Sequence, residues 1–182
     1  MTDKDIRGAL ERARAAGRKV RLTHRVLADF FNGFVLDVSD DLVYLRILAD
    51  FRFDDFAVLR LADIEEVRSG PNERFFERVL RAEGRLDALA PAPPLELRSF
   101  TMVLAGLLEL DPYVTIDEVD GFHVGRLERV EDEAIHLRFI QVKGTVEPAP
   151  RVIAIDSIYV VTSGGDYLAM FRKYGRWEPA DE

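Results

Sequence analysis

Histidine is the side chain that most often moves protons near neutral pH, and the chain contains three histidines. His24, His123 and His136 are too far apart in sequence to form an H-x-H or H-x-x-x-H metal pair. We interpret each of them as a surface or rim histidine whose ring is satisfied by its neighbours. The chain has no cysteine, so disulfides and thiolate metal sites are excluded. These residues therefore predict neither a metal nor a cofactor.

Carboxylates could also do acid-base chemistry, and acidic residues often stand side by side in this chain. The adjacent pairs are Asp40-Asp41, Asp54-Asp55, Glu65-Glu66 and Asp132-Glu133. Neighbouring residues of a strand point to opposite faces, so an adjacent pair does not by itself make a two-carboxylate site. Asp40-Asp41 and Asp132-Glu133 stand where a hairpin turn is expected, and turns favour aspartate for backbone reasons. No nucleophile, base and acid can be combined by spacing, so we predict no catalytic residue and a non-enzymatic protein.

The segment 50–56 mixes aromatic and charged side chains. Its sequence, DFRFDDF, interleaves three phenylalanines with three acids and one arginine. Exposed aromatic side chains beside charges are typical of a surface that binds a partner. The candidate partner-binding residues are Phe51, Arg52, Phe53, Asp54 and Phe56. In the alternative interpretation, Phe51 and Phe53 pack beneath their own domain or against the other one.

Basic residues gather near the N-terminus, where positions 12–25 contain six of them. Within this cluster Arg18, Lys19, Arg21 and Arg25 are candidates for contact with RNA, DNA or an acidic partner. The alternative is a solvated face that balances the acidic second half of the chain. The whole chain has a net charge of −8, which repels phosphate and weakens the nucleic-acid hypothesis.

Length and composition indicate a folded protein. The chain has 182 residues, of which 48 % are hydrophobic, which suffices for one large domain or two small ones. The first residues are charged and helix-like rather than a signal peptide. The longest apolar run, at positions 102–108, is far shorter than the roughly 20 residues that span a bilayer. We expect a soluble, cytoplasmic protein without a membrane partner.

A pattern of glycine and apolar residues occurs twice. When residues 33–68 are shifted by 92 positions, Gly33 falls on Gly125 and Val35 falls on Leu127. Beyond the next loop the shift becomes 94, and Ile64 meets Ile158, so a two-residue insertion lies in that loop. The repeat predicts a duplicated small β-domain.

Each copy is predicted to contain a helix, five strands and a second helix. In the first copy these are helix 3–16, strands 20–23, 34–38, 42–47, 56–61 and 64–68, and helix 73–83. In the second copy Ser99 begins a helix that ends before Pro112, strands follow at 113–118, 122–130, 134–141, 151–155 and 158–162, and a last helix ends at Gly175. The dipeptide Asn32-Gly33 is typical of a hairpin turn, but the repeat favours Gly33 inside a bent strand.

The predicted domains are residues 1–84 and 96–182, joined by the proline-rich linker 85–95. Five short strands with local turns remove their open edges by closing into a barrel. Their order, and the turn before the last strand, resemble the SH3-like and Sm-like small β-barrels. The resemblance implies a mainly β protein with flanking helices (α+β), built of two tandem five-stranded barrels.

The resemblance does not carry RNA-binding residues to this chain. Sm-like proteins bind uridine with a Met-Asn pair in one loop and an Arg-Gly pair in another, and the matching segments 39–42 and 66–70 contain neither. The pattern is also similar to that of uncharacterised bacterial proteins, which implies no activity. We therefore expect a protein-interaction or assembly module, whose partner is another protein or a second copy. The alternatives are a nucleic-acid-binding protein that uses the basic cluster, and a small-ligand binder or enzyme with a site between the barrels.

Overall fold

The structure, a computed structural model, describes residues 2–27, 29–89, 92–119 and 121–177. The chain divides into two compact units, Met1–Pro93 (unit 1) and Pro94–Glu182 (unit 2). Each unit contains an antiparallel sheet, and the described residues form four α-helices. The prediction of a mainly β, α+β protein is confirmed. The proposed linker 85–95 includes positions 90 and 91, which lie outside the described residues, and its bounds stay a prediction.

Unit 1 follows the predicted order of elements. It consists of α1 (Asp3–Ala15), β1 (Lys19–His24), β2 (Phe30–Val38), β3 (Leu42–Ala49), β4 (Arg52–Arg60), a 3-10 turn (Leu61–Asp63), β5 (Ile64–Arg68) and α2 (Pro71–Ala82), followed by a second 3-10 turn (Leu86–Leu89). A capping box starts α1, because the Thr2 hydroxyl accepts the Asp5 N–H and the Asp5 carboxylate accepts the Thr2 N–H. Pro71 opens α2, where its missing N–H costs no helical hydrogen bond.

Unit 2 repeats this order with two additional short strands. It consists of α3 (Phe100–Leu110), β6 (Tyr113–Glu118), β7 (Gly121–Val130), β8 (Ala134–Phe139), β9 (Thr145–Val146), β10 (Arg151–Ala154), a 3-10 turn (Ile155–Ser157), β11 (Ile158–Gly164), α4 (Gly165–Tyr174) and β12 (Arg176–Trp177). The Ser99 hydroxyl accepts the Met102 N–H and caps α3 as predicted. The pattern did not predict β9 and β12, which pair in parallel.

Both units have the same strand order. The first strand pairs with the second and the fifth, which gives β4–β3–β2–β1–β5 in unit 1 and β10–β8–β7–β6–β11 in unit 2. The pairings described within each unit include none between the fourth and fifth strands. The expected closure into two barrels is therefore not confirmed. The 3-10 turn after the fourth strand carries the chain to the opposite edge of the sheet, beside the first strand.

The irregularities of the two sheets also correspond. The β2–β3 register shifts between Val35 and Asp37, and the β7–β8 register shifts between Leu127 and Arg129, 92 positions later. A further irregularity, beside Ile64 in unit 1, recurs beside Ile158, 94 positions later. The offsets found in the sequence therefore match the strand registers, bulges included.

A close approach of two backbones explains the shared glycine. A Cβ at Gly33 would meet the Arg46 carbonyl oxygen at 2.2 Å, and one at Gly125 would meet the Arg138 carbonyl oxygen at 2.7 Å. Gly33 of β2 pairs with Val20 of β1, so it lies inside a strand and not in a hairpin turn, as the repeat predicted. Only glycine lets the neighbouring strand come this near.

Apolar residues fill the two units at corresponding places. The fully buried ones include Ile6, Leu10, Val20, Leu22, Val43, Leu45, Leu59 and Ile64 in unit 1, and Val103, Leu104, Val114, Ile116, Ile135, Leu137 and Ile158 in unit 2. A smaller cluster lies under the last helix of each unit. It contains Phe34, Leu48 and Leu80 in unit 1, and Val124, Ile140, Val146 and Leu168 in unit 2. None of the helices in the described residues combines the length and the apolar composition that crossing a membrane requires.

We predict that Gly33→Ala destabilises unit 1. The added methyl meets a backbone carbonyl, which cannot rotate away, so β2 and β3 must separate. Overpacking of this kind costs roughly 1–3 kcal/mol of the free energy of unfolding, and we expect the upper half of that range. Urea unfolding measures the loss. Gly8→Ala is the control, because its methyl meets only the end of the Arg12 side chain and alanine favours a helix. A Gly33→Ala protein as stable as the wild type would contradict the constraint.

Candidate functional site

The aromatic and acidic segment 50–56 is mostly strand. Strand β4 begins at Arg52, so the prediction that the fourth strand begins at position 56 was wrong. Asp50 and Phe51 form the two-residue turn between β3 and β4, and Asp50 has a positive φ of 54°. Aspartate tolerates this conformation better than most residues, but the sequence has no glycine to signal the turn. Phe51 and Arg52 are therefore the candidate residues at the tip.

Phe51 contacts helix α2. Its ring stacks on Phe76 with 4.6 Å between centroids, and Phe75 meets it edge-on at 6.3 Å. Phe75 remains 48 % exposed, while Arg85 donates a hydrogen bond of 3.1 Å to the Phe51 carbonyl. We call Phe51, Phe75 and Phe76 the unit 1 aromatic surface. The two residues of α2 were not among the predicted site residues, although their adjacent aromatic rings were visible in the sequence.

Phe53, Asp54 and Phe56 are half-buried, as Phe51 is, but they lie within strand β4. Phe53 packs against Phe34, with 5.6 Å between centroids, beside the small cluster under α2. The Arg46 guanidinium lies 4.1 Å above the Phe56 ring. Burial lowers the pKa of Arg46, and the nearby charge of Asp54 acts in the opposite direction. These residues support the strand pair, and Arg52 is the exposed member of the predicted set.

Two of the candidate nucleic-acid-binding residues are engaged inside unit 1. Arg18 Nη1 donates to Glu77 Oε2 at 2.8 Å. Lys19 is buried, and its Nζ donates to Asn32 Oδ1 at 3.0 Å and lies 5.0 Å above the Phe76 ring. Burial lowers the pKa of Lys19. These contacts connect β1 to β2 and α2.

The other two candidates lie apart from that network. The Arg21 guanidinium lies 3.6 Å above the ring of Phe30, which is itself 46 % exposed. The Arg25 side chain is exposed, and its backbone N–H donates to the Asp63 carbonyl at 2.7 Å. The structure therefore does not bring the four basic residues to one site with four solvent-facing charges.

Two buried carboxylates on α2 went unnoticed in the sequence. Glu77 Oε1 accepts the buried backbone N–H of Lys19 at 2.9 Å, and Glu73 Oε2 accepts the Gly70 N–H at 2.6 Å. Burial acts to raise the pKa of Glu73, but the hydrogen bond from Gly70 and the charge of Lys19 lower it overall. Glu73, Glu77 and Leu80 repeat at helical spacing, and this signal could have placed the carboxylates on the inner face.

The histidines differ in their burial. His24 is 1 % exposed, so its interpretation as a surface or rim residue was wrong. Its Nδ1 accepts the backbone N–H groups of Val26 and Leu27, at 3.2 and 3.1 Å, which holds the loop after β1. Burial lowers the pKa of His24, which favours the neutral acceptor. The burial and the hydrogen bonds of His24 therefore indicate a structural role.

His123 belongs to a short chain of hydrogen bonds. Its Nε2 lies 2.8 Å from Glu118 Oε1, and Ser157 Oγ donates to Glu118 Oε2 at 2.8 Å. The carboxylate, not the imidazole, stands between the other two groups. His123 therefore cannot take a proton directly from Ser157, and this order is not that of a catalytic triad. The hydrogen bond fixes the imidazole, whose ring stacks on Phe139 at 4.5 Å.

Unit 2 has a surface feature that the sequence did not reveal, here called the α4 groove. A cavity of about 190 Å³ is lined by Phe122, His123, Phe139 and Tyr167, among others. A cleft of about 570 Å³ is lined by Lys143, Gly144, Met170 and Tyr174, among others. Both are also lined by Val142 and Phe171, so they adjoin along α4.

Comparison with known proteins does not assign the chain to a family. No family model matches the chain, and no curated protein matches it either. Within residues 2–27, 29–89, 92–119 and 121–177, no three histidine, aspartate or glutamate side chains are gathered as a metal site would require. The aromatic surface of unit 1 and the α4 groove of unit 2 are thus the candidates on which a function can be argued.

We predict that Glu77→Ala destabilises the protein by roughly 1–3 kcal/mol, the cost of leaving a buried donor without an acceptor. The orphaned donor is the backbone N–H of Lys19. Glu77→Gln should lose less, because its amide oxygen can still accept that hydrogen bond. Glu83→Ala is the control, since Glu83 is an exposed carboxylate at the end of the same helix. Equal losses for Glu77→Ala and Glu83→Ala in urea unfolding would refute the role of Glu77.

Glu73 should make stability depend on pH. Its pKa is lower in the folded protein than in the unfolded chain, where a glutamate titrates at about 4.3. The stability from its charge is therefore present above that pH and is lost as the pH falls through the folded pKa. The stability difference between the wild type and Glu73→Gln should be constant near neutral pH and shrink below about pH 4. Urea unfolding from pH 7 to pH 3 measures it, and a pH-independent difference would contradict the assignment.

Proposed function

We propose that the protein is a non-enzymatic protein-interaction module that contacts its partner through the unit 1 aromatic surface. The supporting observation is the exposure of Phe75, at 48 %, beside the stacked rings of Phe51 and Phe76. Placing a large aromatic ring in water has a free-energy cost that burial against a partner removes. Phe51 and Arg52 at the β3–β4 turn extend this surface beyond α2.

The composition of this surface supports protein recognition. Aromatic residues and arginine are enriched among the residues that contribute most to protein–protein binding. The Arg78 guanidinium lies 5.8 Å above the Phe75 ring, and Arg85 is bonded to the Phe51 carbonyl. Phe53 supports the surface from below. Because the rings already pack on one another, little side-chain freedom is lost when a partner covers them.

We also propose that each unit is a variant of the SH3-like or Sm-like small barrel, arranged as a tandem duplication with the linker at 85–95. The support is the strand order, with the first strand between the second and the fifth, and the 3-10 turn before the last strand. Scaffolds of this kind place short connections at the ends of strands, where exposed side chains are free to vary. The β3–β4 turn, with Phe51 and Arg52, is one such connection.

The alternatives receive less support. A nucleic-acid interface on the basic cluster would need Arg18 and Lys19, which are bonded to Glu77 and Asn32. Phosphate binding would also work against the net charge of −8. An enzyme or small-ligand site between the two units stays a prediction.

The test is affinity capture from a lysate of the protein's native cells. The baits are the wild type, Phe75→Ser and the control Val26→Ser, which changes an apolar residue with 49 % exposure in the loop after β1. We expect at least one protein to be retained by the wild type and Val26→Ser, and reduced at least tenfold with Phe75→Ser. Mass spectrometry quantifies the retained proteins.

Light scattering on the purified chain covers self-association, in which a second copy is the partner. A wild type that is monomeric at high concentration and retains no protein would overturn the proposal. So would a Phe75→Ser bait that retains the same proteins in the same amounts as the wild type. Circular dichroism of each variant verifies that the fold is intact.

A further inference from the structure

The α4 groove brings several exposed apolar side chains together, whereas elsewhere such side chains are exposed only singly. Its walls include Phe122, Val142, Tyr167, Met170 and Tyr174, with exposures between 48 % and 95 %. In the part of unit 2 that the structure describes, nine large apolar side chains are exposed, and these five are more than half of them. Scattered apolar residues are ordinary on a protein surface, whereas a contiguous group indicates recognition.

The groove has two parts of different size. The cleft, about 570 Å³, lies within the roughly 300–1,000 Å³ of small-molecule sites, but the cavity, about 190 Å³, is smaller. A cavity of that size accommodates one large side chain. The adjoining cleft is wider and is bordered by the exposed residues Val142, Met170 and Tyr174. An extended segment with one anchor in the cavity can therefore continue along α4.

The wall of the cavity is held in place before anything binds. His123 is fixed by Glu118 and stacks on Phe139, and the Arg151 guanidinium lies 4.5 Å from the centroid of the same Phe139 ring. Tyr167 packs edge-on against Phe171 at 5.0 Å. Pre-organised aromatic walls reduce the entropy that is lost on binding.

The charges around the cleft select the partner. Residues 94–182 contain 9 basic and 16 acidic side chains, counted from the sequence. Four of the basic ones, Lys143, Arg172, Lys173 and Arg176, belong to the cleft or to the last turn of α4. Arg172 pairs with Asp111 at 3.4 Å. Glu147 also lines the cavity, where it pairs with Arg151, and the cations that outnumber it around the cleft attract negatively charged segments and orient them.

We propose that the α4 groove binds an extended acidic segment of a partner protein. One aromatic or large aliphatic side chain enters the cavity beside His123 and Phe139. A second apolar side chain covers Met170 and Tyr174, and carboxylates face Lys143, Lys173 and Arg176. This proposal deepens the proposed function and rests on it, because it gives the interaction module a second contact surface and a partner chemistry.

Nucleic acid and membranes fit the groove less well. Single strands bind on several aromatic rings with free faces, but Phe139 already contacts His123 and Arg151 and Tyr167 packs on Phe171, which leaves Phe122 and Tyr174 as the more exposed rings. A membrane contact calls for an apolar surface that enters the bilayer interface, whereas the cavity beside Phe122 is concave. The observations therefore favour a peptide segment.

The test selects peptides on the intact protein. Phage-displayed random 12-residue peptides are enriched on the immobilised full chain, and fluorescein-labelled copies of the enriched peptides are titrated by fluorescence polarisation. We expect the enriched peptides to combine net negative charge with at least one aromatic or large aliphatic residue. Met170→Glu and the double variant Lys143→Glu with Lys173→Glu should each weaken their binding at least tenfold. Met102→Glu, the same change on an exposed position of α3, should change it less than twofold.

Several results would overturn the proposal. One is that no peptide is enriched, and another is that the enriched peptides are basic or uncharged. A third is that Met170→Glu binds the enriched peptides as tightly as the wild type does. Loss of binding to oligouridine or to phosphatidylserine vesicles in Met170→Glu, without any bound peptide, would assign the groove to nucleic acid or membrane. Self-association that Met170→Glu abolishes would assign it to a second copy.

The two proposals fail separately. If Phe75→Ser loses the captured partner but no acidic peptide binds the α4 groove, the interaction module stands and the groove assignment is wrong. If capture shows no dependence on Phe75 and no peptide is enriched, both proposals are wrong.

Discussion

The approach of the second and third strands at Gly33 and Gly125 is the constraint on which each unit depends. With no side chain at that position, the carbonyl oxygen of Arg46 or Arg138 lies 2.2 or 2.7 Å from the place where a Cβ would be. A bulge follows a few residues later in both strand pairs. Bulges increase local twist and bend the strand. The bent second strand pairs with the first strand, which also pairs with the fifth, so five short strands enclose apolar residues together with α1 or α3.

The last helices of the two units are held by different kinds of contact. In unit 1, Glu77 on α2 accepts the Lys19 N–H and pairs with Arg18, so charged groups join the helix to β1. In unit 2, Leu168 of α4 is buried with Phe171 packed beside it, and Arg172 at the end of the helix pairs with Asp111 and lies over the Tyr113 ring. A buried carboxylate needs all its partners in fixed positions, whereas an apolar face packs with less directional constraint. The exposed side of α4 includes the large apolar side chains of Tyr167, Met170 and Tyr174.

Local rules predicted the elements that short-range physics specifies. The Ser99 cap and the glycine shared by the two copies were predicted from the sequence and are present in the structure. The start of β4 was missed because the turn before it uses Asp50 at positive φ in place of glycine. The parallel pair β9–β12 joins residues about thirty positions apart, and two residues each give no periodic signal.

The candidate site was predicted less completely for a related reason. Phe51 and Arg52 were found because aromatic and charged residues alternate within one short segment. Phe75 belongs to the same surface, but the fold brings it there from a helix more than twenty residues later. Glu73 and Glu77 were not among the predicted residues, since composition alone cannot distinguish a buried carboxylate from an exposed one. Barrel closure was inferred from the need to remove open edges, and this need does not specify which strands pair.

The two-residue insertion, which lies in a loop of the second copy, explains why the surfaces of the two units differ. In unit 1 the chain crosses from β3 to β4 in the two-residue turn Asp50–Phe51, and β4 is nine residues long. In unit 2 the corresponding strand β10 has only four residues, and positions 140–150 before it form a longer connection that includes β9. At the offset of 94, the strand residues 52–56 correspond to 146–150 within that connection. Because Val142, Lys143 and Gly144 line the α4 groove, part of its wall is made of this connection, which takes the place of the first half of the strand. The two units therefore share their strand registers, and they differ in this connection, which is a two-residue turn beside the aromatic surface in unit 1 and a wall of the α4 groove in unit 2.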